Sequence, residues 1–355
     1  MENTLKKTKT QKVKVLCGYF VTFLTVQALL LFGVMLLACG CEEILKQPPG
    51  KPPVAEAAAV EELSEAARIT LESLSDDDPS IRVMAIEVVA TIGQVKMMPR
   101  VERLLHDKFV QVRFAAALAV GDLQYSLARK SVQQLLKDRD PNVKIAASYT
   151  MIKLGYPQYA KVFKKAITSK NQTVRANSAL LLGKIGDRSA LDLLHWSMKQ
   201  DDSDDKVLFQ AAESIAMLGD EEIIPKLWAM LISVYADDRV MGIKAMGYFR
   251  TVKAKNAIIT MLDDPILEVR LAAAEQLGAL GDTIGEREVL DVFEKNLTAG
   301  MEKEDIEIAN MRVALAIGQI GTKSLVKYLP QLLKDESKSV RIAAAKAAFQ
   351  CAKKK

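Results

Sequence analysis

Histidines and clustered carboxylates are the side chains of this sequence whose types could support metal or acid–base chemistry. The chain has two histidines, His106 and His195, and neither has a cysteine or second histidine at the spacing of a zinc site. The sequence also contains no G-x-S-x-G motif, no P-loop and no H-E-x-x-H motif. We therefore predict no catalytic residue, no metal and no cofactor, and we expect that the chain is not an enzyme.

A cluster of aspartates, Asp201, Asp202, Asp204 and Asp205, resembles a calcium-binding loop only in its charge. An EF-hand loop also needs a central glycine and a terminal glutamate, and both are missing here. Aspartate is favoured at the residue that caps a helix. We therefore predict that Asp204 caps a helix and that the other aspartates are solvated.

An internal repeat determines the elements that position these side chains. Residues 269–281, with the sequence VRLAAAEQLGALG, recur in nine versions, and most consecutive anchor residues are 31 positions apart. A fixed period of this length is typical of a solenoid. The anchors of units one to nine are Arg82, Arg113, Lys144, Arg175, Leu208, Arg239, Arg270, Asn310 and Arg341.

Each unit is predicted to be a pair of helices. Residues three, seven and ten positions after the anchor, such as Ala273, Leu277 and Leu280, are mostly apolar or small and share one helical face. Six units end this helix at a glycine such as Gly281. A second amphipathic segment, for example residues 223–231, lies before the next anchor. The predicted fold class is all-α.

The pattern of an aspartate six positions before a basic anchor, with an alanine-rich helix ending in Leu-Gly, resembles the short HEAT repeats also seen in phycobilin lyase subunits. The resemblance covers residues 55–355 and implies a right-handed α-solenoid of about nine helix pairs. It implies no activity, because no residue motif matches the catalytic residues of the lyases.

The resemblance also implies a hydrogen-bonded ladder between acidic and basic residues from repeat to repeat. Its expected members are Asp76 with Arg82, Asp107 with Arg113, Asp138 with Lys144, Asp264 with Arg270, and Asp335 with Arg341. Serine replaces the acid at Ser169 and Ser233, while Leu208 and Asn310 replace the base. We therefore expect the ladder to be broken at units four, five, six and eight.

Residues 1–38 have the pattern of a signal peptide or membrane anchor. Five lysines and one glutamate precede the uncharged residues 15–37. The end of this run, Leu36-Leu37-Ala38-Cys39, resembles a bacterial lipobox, which implies lipid attachment at Cys39. The length of the run also suits an uncleaved anchor, which stays the less favoured alternative. Both interpretations predict a protein anchored in the cell envelope that faces the periplasm or the exterior.

Residues 39–54 are predicted to be a proline-rich tether, and residues 55–355 to be the solenoid. The helix at residues 55–74 is expected to act as a polar cap. The whole chain carries +5, of which the leader supplies five lysines less one glutamate, or +4, so the rest is near +1. This balance argues against a nucleic-acid partner.

A partner-binding strip is predicted on the exposed side of the second helix of units two to four. Residues five positions after the anchor include Leu118, Tyr149 and Leu180, with Asp122, Lys153 and Lys184 beside them. An apolar strip bordered by charge is typical of a protein-binding groove. The alternative, which is equally favoured, is that neighbouring side chains or helices cover the strip.

Unit eight is longer than the others, and the excess within residues 283–310 is a second candidate for a binding surface. A longer polar loop is the favoured explanation. The functional prediction is an exported, membrane-tethered scaffold that binds a protein or peptide through its concave surface. The alternative is a chaperone-like or lyase-like accessory subunit for a cofactor-bearing protein, which predicts a coloured or ligand-bound preparation.

Overall fold

A computed structural model describes residues 54–354, with side chains from residue 60 onward; the predicted leader, Cys39 and the tether up to residue 53 lie outside this range. Within the described residues the regular structure is helical and no strand is present. The predicted all-α class and the nine helix pairs are confirmed.

The first helices of the nine units are α1 (Val54–Ser73), α3 (Met98–Leu104), α5 (Arg129–Leu135), α7 (Lys161–Ala166), α9 (Leu191–Met198), α11 (Ile224–Leu231), α13 (Val252–Thr260), α15 (Glu286–Glu294), and α17 (Lys323–Val326) with α18 (Leu329–Leu332). The second helices are α2 (Pro79–Ile92), α4 (Val110–Asp122), α6 (Pro141–Lys153), α8 (Gln172–Ile185), α10 (Asp205–Met217), α12 (Ala236–Met246), α14 (Leu267–Ala279), α16 (Lys303–Ile320) and α19 (Lys338–Lys354). Short 3₁₀ turns precede several of the first helices.

The boundaries of these helices follow from local chemistry, as α2 shows. The side chain of Asp78 accepts a hydrogen bond from the Ser80 amide, and Pro79 occupies the first helical position, where its missing N–H costs nothing. Gly93 ends the helix with a φ of 70°, a left-handed conformation that glycine adopts without strain.

The second helices form a closed ring within the unit of residues 58–355. Each second helix packs against the second helix of the next unit, and α19 of unit nine packs against α2 of unit one. The buried core is continuous across this junction, because Ile86 and Val89 belong to the same cluster as Ala344 and Ala348. The first helices lie outside the second helices, which therefore line a central lumen.

Polar contacts reinforce the junction between units one and nine, which we call the seam. Lys338 Nζ lies 2.7 Å from Asp76 Oδ2, and the ammonium of Lys353 donates to the carbonyl oxygen of Ile92. Helix α1 was expected to be a polar cap, but this expectation is wrong. Its residue Leu63 lines a hollow together with Leu329 and Ala348 of unit nine.

A column of glycines allows the second helices to approach each other closely. A Cβ on Gly183 would lie 2.7 Å from Ser214 Cβ, and one on Gly278 would lie 2.8 Å from the carbonyl carbon of Gln319. Such distances are far below van der Waals contact, so only glycine fits here. The column lies eight positions after the anchor and comprises Gly121, Gly183, Gly247, Gly278 and Gly318. Tight packing at the inner helices curves the chain strongly, and nine units close the ring.

The extra length of unit eight is not simply a polar loop. Helix α16 begins at Lys303 and has 18 residues, whereas α14 of the preceding unit has 13. A turn at residues 295–302, with Asn296 and Gly300 at positive φ, connects α15 to it. Part of the insertion therefore extends the second helix at its N-terminal end.

Candidate protein-binding surfaces

The ladder runs along one edge of the ring, at the turn between the first and second helix of each unit. We call this edge the ladder rim. Arg113 donates to the backbone carbonyl of Asp107 in its own unit at 2.9 Å, and to the carboxylate of Asp138 in the next unit at 2.8 Å. Burial raises the pKa of Asp138, but hydrogen bonds from Arg113 and from the Asp140 amide outweigh it and hold the pKa below its ordinary value. The side-chain pairs thus join neighbouring units, not the acid and base of one unit.

The predicted breaks in the ladder are correct only in part. Ser169 and Ser233 provide no acid for the preceding unit, but the bases of units four and six keep their own partners. Arg175 of unit four and Arg239 of unit six both reach the aspartate of the next unit, at 2.7 Å. In unit eight the amide of Asn310 replaces the guanidinium and donates to Asp335 at 3.2 Å. The break at unit five is confirmed, because Leu208 has no hydrogen-bond donor in its side chain.

Most of the remaining predicted ladder residues have a ladder partner, and Lys144 is the exception. Arg82 pairs with Asp107 at 2.9 Å. Arg270 donates to the carbonyl of Asp264, and its side-chain partner in unit eight is Glu288 at 2.9 Å. Arg341 donates to the carbonyl of Asp335.

The predicted strip of units two to four is not an open groove. Tyr149 is only 1% exposed, and its hydroxyl donates to Asp122. Lys184 Nζ lies 3.0 Å from the other oxygen of Asp122. The expected exposure of Tyr149 is therefore wrong, because the ring of Tyr149 packs against the glycine at position 121 of the neighbouring helix.

The other members of the strip are half-buried on the lumen wall. They are Leu118, Lys153 and Leu180. Burial, followed by the hydrogen bond to Asp122, raises the pKa of the Tyr149 hydroxyl, so this group stays protonated. The structure brings Tyr149, Asp122 and Lys184 together, as part of the packing between second helices.

The lumen contains charges from distant parts of the ring. Glu87 of unit one is exposed, but the surrounding protein limits the access of water to its carboxyl and raises its pKa, while the positive charges of Lys346, Lys244 and Lys184 act against this. Burial likewise raises the pKa of Glu275. Lys184 and Lys244 belong to units four and six, so the charge of Glu87 is influenced by units distant from it along the chain.

The two histidines occupy different surroundings. His106 is an exposed turn residue. His195 Nε2 lies 2.8 Å from Asp220 Oδ2, and with Glu222 these side chains offer three ligand atoms within 4.8 Å of one another. The sequence motifs missed this group because its acids come from the turn that leads into the next unit.

The aspartate cluster behaves as predicted at its capping residue. The carboxylate of Asp204 accepts a hydrogen bond from the Val207 amide at the start of α10. Asp202 serves the ladder by pairing with Arg175.

Two units carry exposed apolar residues at a position where several other units carry a helix cap. Four positions before the anchor, the side chains of Asp78, Asp140, Asn171 and Asp204 each accept a hydrogen bond from a helix amide. In units six and seven the same position holds Tyr235, 70% exposed, and Ile266, 45% exposed, and neither caps its helix. Phe109 of unit two also replaces a cap, but it is half-buried beneath the guanidinium of Arg82.

Further exposed apolar side chains extend this surface along the ladder rim. Val234 is 86% exposed beside Tyr235. Ile266, Met301 and Ile308 line a hollow of about 410 Å³ between units seven and eight. We call Val234, Tyr235, Ile266, Met301 and Ile308 the apolar rim strip. Aligning the cap position of the nine units would have revealed its first members from the sequence.

Models of HEAT repeats match residues 67–149, 98–171 and 160–240, and a second HEAT-repeat model matches residues 255–284. Together these matches cover more than half of the chain. It is a HEAT-repeat protein. The resemblance inferred from the anchor pattern is thereby confirmed for the repeats.

Several solved HEAT-type structures are similar to this HEAT-repeat chain at low identity. Human deoxyhypusine hydroxylase in complex with glycerol is 15% identical with a TM-score of 0.38, covering 75% of this chain and 99% of its own. The complex of CpcE and CpcF of phycocyanin lyase from Nostoc sp. PCC7120 is 17% identical with a TM-score of 0.42, covering 69% and 93%. Kap121p is 15% identical with a TM-score of 0.32, covering 80% and 37%. No curated protein is a significant match to the sequence.

The expectation that this HEAT-repeat protein is not an enzyme stays a prediction. Among residues 54–354, no helix is both long and apolar enough to cross a bilayer. The predicted leader and Cys39 lie outside the described range, and the predicted export stays a prediction as well.

Proposed function

We propose that this protein is an exported, membrane-tethered HEAT-repeat scaffold that binds a protein partner on the apolar rim strip of units six to eight. The observation that carries the proposal is the replacement of two helix caps by exposed apolar side chains, Tyr235 and Ile266. Because the ring is closed, the concave side lines the lumen. The proposed binding surface therefore lies on the ladder rim instead of the concave side.

The missing caps have an energetic cost. A capping side chain stabilises a helix by about 1 kcal/mol relative to a residue that cannot cap. Because Tyr235 and Ile266 are exposed to water in the isolated chain, burial of their side chains does not compensate for the lost caps. Departures from local rules without a local benefit are concentrated at functional sites. A partner that buries these side chains would provide the benefit.

The charges around the strip indicate the chemistry of the partner. Asp237, Asp263, Glu302, Glu304 and Asp305 are exposed near it, with Lys303 as the nearby exposed base. An acidic border complements a basic segment. The proposed partner element is therefore an amphipathic segment with apolar residues on one face and lysine or arginine on its borders.

The tether belongs to the same proposal. A lipid on Cys39, or an uncleaved anchor at residues 15–37, would hold the ring near a membrane through the proline-rich residues 42–54. Mass spectrometry of the membrane fraction tests this part, with a lipid-modified N-terminus at Cys39 as the expected result. An unmodified, intact Met1 would instead support the uncleaved anchor.

Site-specific photo-crosslinking in the cell that makes the protein tests the binding surface. A photoreactive phenylalanine analogue at Val234 is expected to form a covalent adduct with one defined protein. The matched control is Lys170, which is exposed and also lies five positions before its anchor. Tyr235→Asp in the same chain is expected to abolish the adduct. Equal adducts at positions 234 and 170, or none at either, would contradict the proposed surface.

A further inference from the structure

One link of the ladder differs from all the others because the acid is missing while the base remains. The acid of a ladder link has two tasks, as Asp138 shows. Its Oδ1 atom accepts a hydrogen bond from the Asp140 amide at 2.9 Å and so shapes the turn of its own unit. The carboxylate also accepts the guanidinium of Arg113 from the preceding unit.

Ser169 performs only the first of these tasks. Its hydroxyl oxygen accepts the hydrogen bond from the Asn171 amide at 3.1 Å, so the turn keeps its shape. A neutral hydroxyl does not supply the negative charge that the base of unit three requires. The ladder base of unit three is Lys144.

The ammonium of Lys144 therefore lacks an acid at the place where the neighbouring bases have one. Among the described residues, no hydrogen bond or ion pair is formed by its Nζ atom. The other serine unit leaves no such charge, because the anchor before Ser233 is the apolar Leu208. The unpaired base is thus a feature of the link between units three and four.

A hollow of about 410 Å³ lies at this link. Its polar side chains are Lys144, Lys165, Thr168 and Ser169, which provide two ammonium groups and two hydroxyls. Its remaining lining is apolar and includes Ile145, Val162 and Val174. No carboxylate lines the hollow, so its charge is positive. The volume lies within the range of small-ligand pockets.

We propose that this hollow binds a carboxylate carried on an apolar body. The carboxylate occupies the position that Asp107 and Asp138 hold in the preceding links, where it accepts charge-assisted hydrogen bonds from Lys144. The Ser169 hydroxyl, whose oxygen accepts from the Asn171 amide, donates its proton to the second carboxylate oxygen. The apolar body lies on Ile145 and Val162. This ligand site is separate from the apolar rim strip and goes beyond the proposed scaffold function.

The carboxylate could belong to a free aliphatic acid or to a glutamate side chain of a peptide. Calorimetric titration of the full-length protein with decanoate, and with a capped peptide that has one glutamate between leucines, distinguishes these sources. Decanol and the corresponding glutamine peptide are the uncharged controls. We expect at least tenfold weaker binding of the uncharged control than of its carboxylate, for whichever source is correct.

Lys144→Met removes the ammonium but keeps most of the apolar stem, and is expected to weaken carboxylate binding at least tenfold. Lys130→Met, at an exposed lysine of α5, is the control and is expected to leave binding unchanged. Binding of neither carboxylate probe, or equal binding by the Lys144→Met protein and the native protein, would overturn the proposal.

Ser169→Asp gives a test that does not depend on losing stability. The new aspartate would complete the ladder from within the chain and compete with any external carboxylate. We expect this variant to melt at a higher temperature than the native protein and to lose carboxylate binding. A variant that gains stability and still binds decanoate or the peptide with unchanged affinity would contradict the assignment of the carboxylate position.

Discussion

At the scale of single residues, one substitution from acid to serine changes what a ladder position can do. Asp264 and Ser169 both shape their turn by accepting an amide hydrogen bond two residues ahead. Asp264 additionally holds Arg239 of the preceding unit at 2.7 Å, with both side chains largely buried. The same position is therefore a structural link in most units and a candidate ligand site in one.

Asp264→Ala is expected to be strongly destabilising. It leaves the buried guanidinium of Arg239 without its counter-charge, which costs about 3–5 kcal/mol in comparable buried pairs. Chemical unfolding monitored by circular dichroism measures the loss. Glu72→Ala is the matched control, because both side chains of its pair with Arg68 are exposed, 64% for Glu72 and 54% for Arg68, and water can replace the carboxylate. Equal losses in the two variants would contradict the importance of burial.

The carboxylates of Glu87 and Asp76 have pKa values shifted in opposite directions, so we expect them to affect the pH dependence of folding stability in opposite ways. Restricted access to water raises the pKa of Glu87 in the folded protein. At pH values above the ordinary pKa of a glutamate, folding must therefore keep this carboxylate charged in an unfavourable place, which lowers the stability. This loss of stability disappears as the pH falls and the carboxyl is protonated. Glu87→Gln is therefore expected to raise the melting temperature near neutral pH, with a smaller gain below about pH 4.5.

Asp76 is the comparison for this prediction. Although burial raises its pKa, the hydrogen bond from Lys338 and the Asp78 amide hold the pKa below its ordinary value. Its stabilisation is present above the unfolded-state pKa and is lost as the pH falls. Asp76→Asn should lower the melting temperature near neutral pH, and the difference should shrink in acid. Shifts of the same sign for Glu87→Gln and Asp76→Asn would contradict this account.

At the scale of helices, the repeat pattern predicted the units but not their exact packing. The periodic apolar positions and the terminal glycines define each helix pair, because they act within one unit. The burial of Tyr149 depends on how closely the next helix approaches, and the anchor columns alone do not give that distance. The five glycines eight positions after the anchor carry this information, and aligning that column would have predicted the close packing.

Gly183→Ala tests the close approach of the second helices. Alanine favours a helix over glycine by about 1 kcal/mol, so an unpacked site would gain stability. Here the added Cβ would meet Ser214 Cβ at 2.7 Å, and overpacking of this kind typically costs about 1–3 kcal/mol. We expect a lower melting temperature. Adding Ser214→Gly should recover part of the loss, whereas a more stable single variant would contradict the packing described here.

At the scale of the whole repeat domain, the described helices form a ring instead of an open superhelix. The contact of α19 with α2, the shared core and the pair of Lys338 with Asp76 all join units one and nine. A repeat pattern read from sequence is the same for an open and a closed array, because closure depends on small rotations summed over nine units. The ring converts the predicted concave surface into a lumen and leaves the ladder rim as the accessible surface for partners.

The distance between units one and nine tests the closed ring most directly. Spin labels on cysteines at Asp77 and Glu336 would lie on equivalent turn residues of these units, with the native cysteines replaced by alanine. A second pair at Lys108 and Arg139 occupies the same positions in the adjacent units two and three and provides an internal ruler. Electron paramagnetic resonance should give matching distances for the two pairs, because neighbouring packed helices lie about 8–10 Å apart. A distance between positions 77 and 336 several times longer than the ruler would show an open array and contradict the ring.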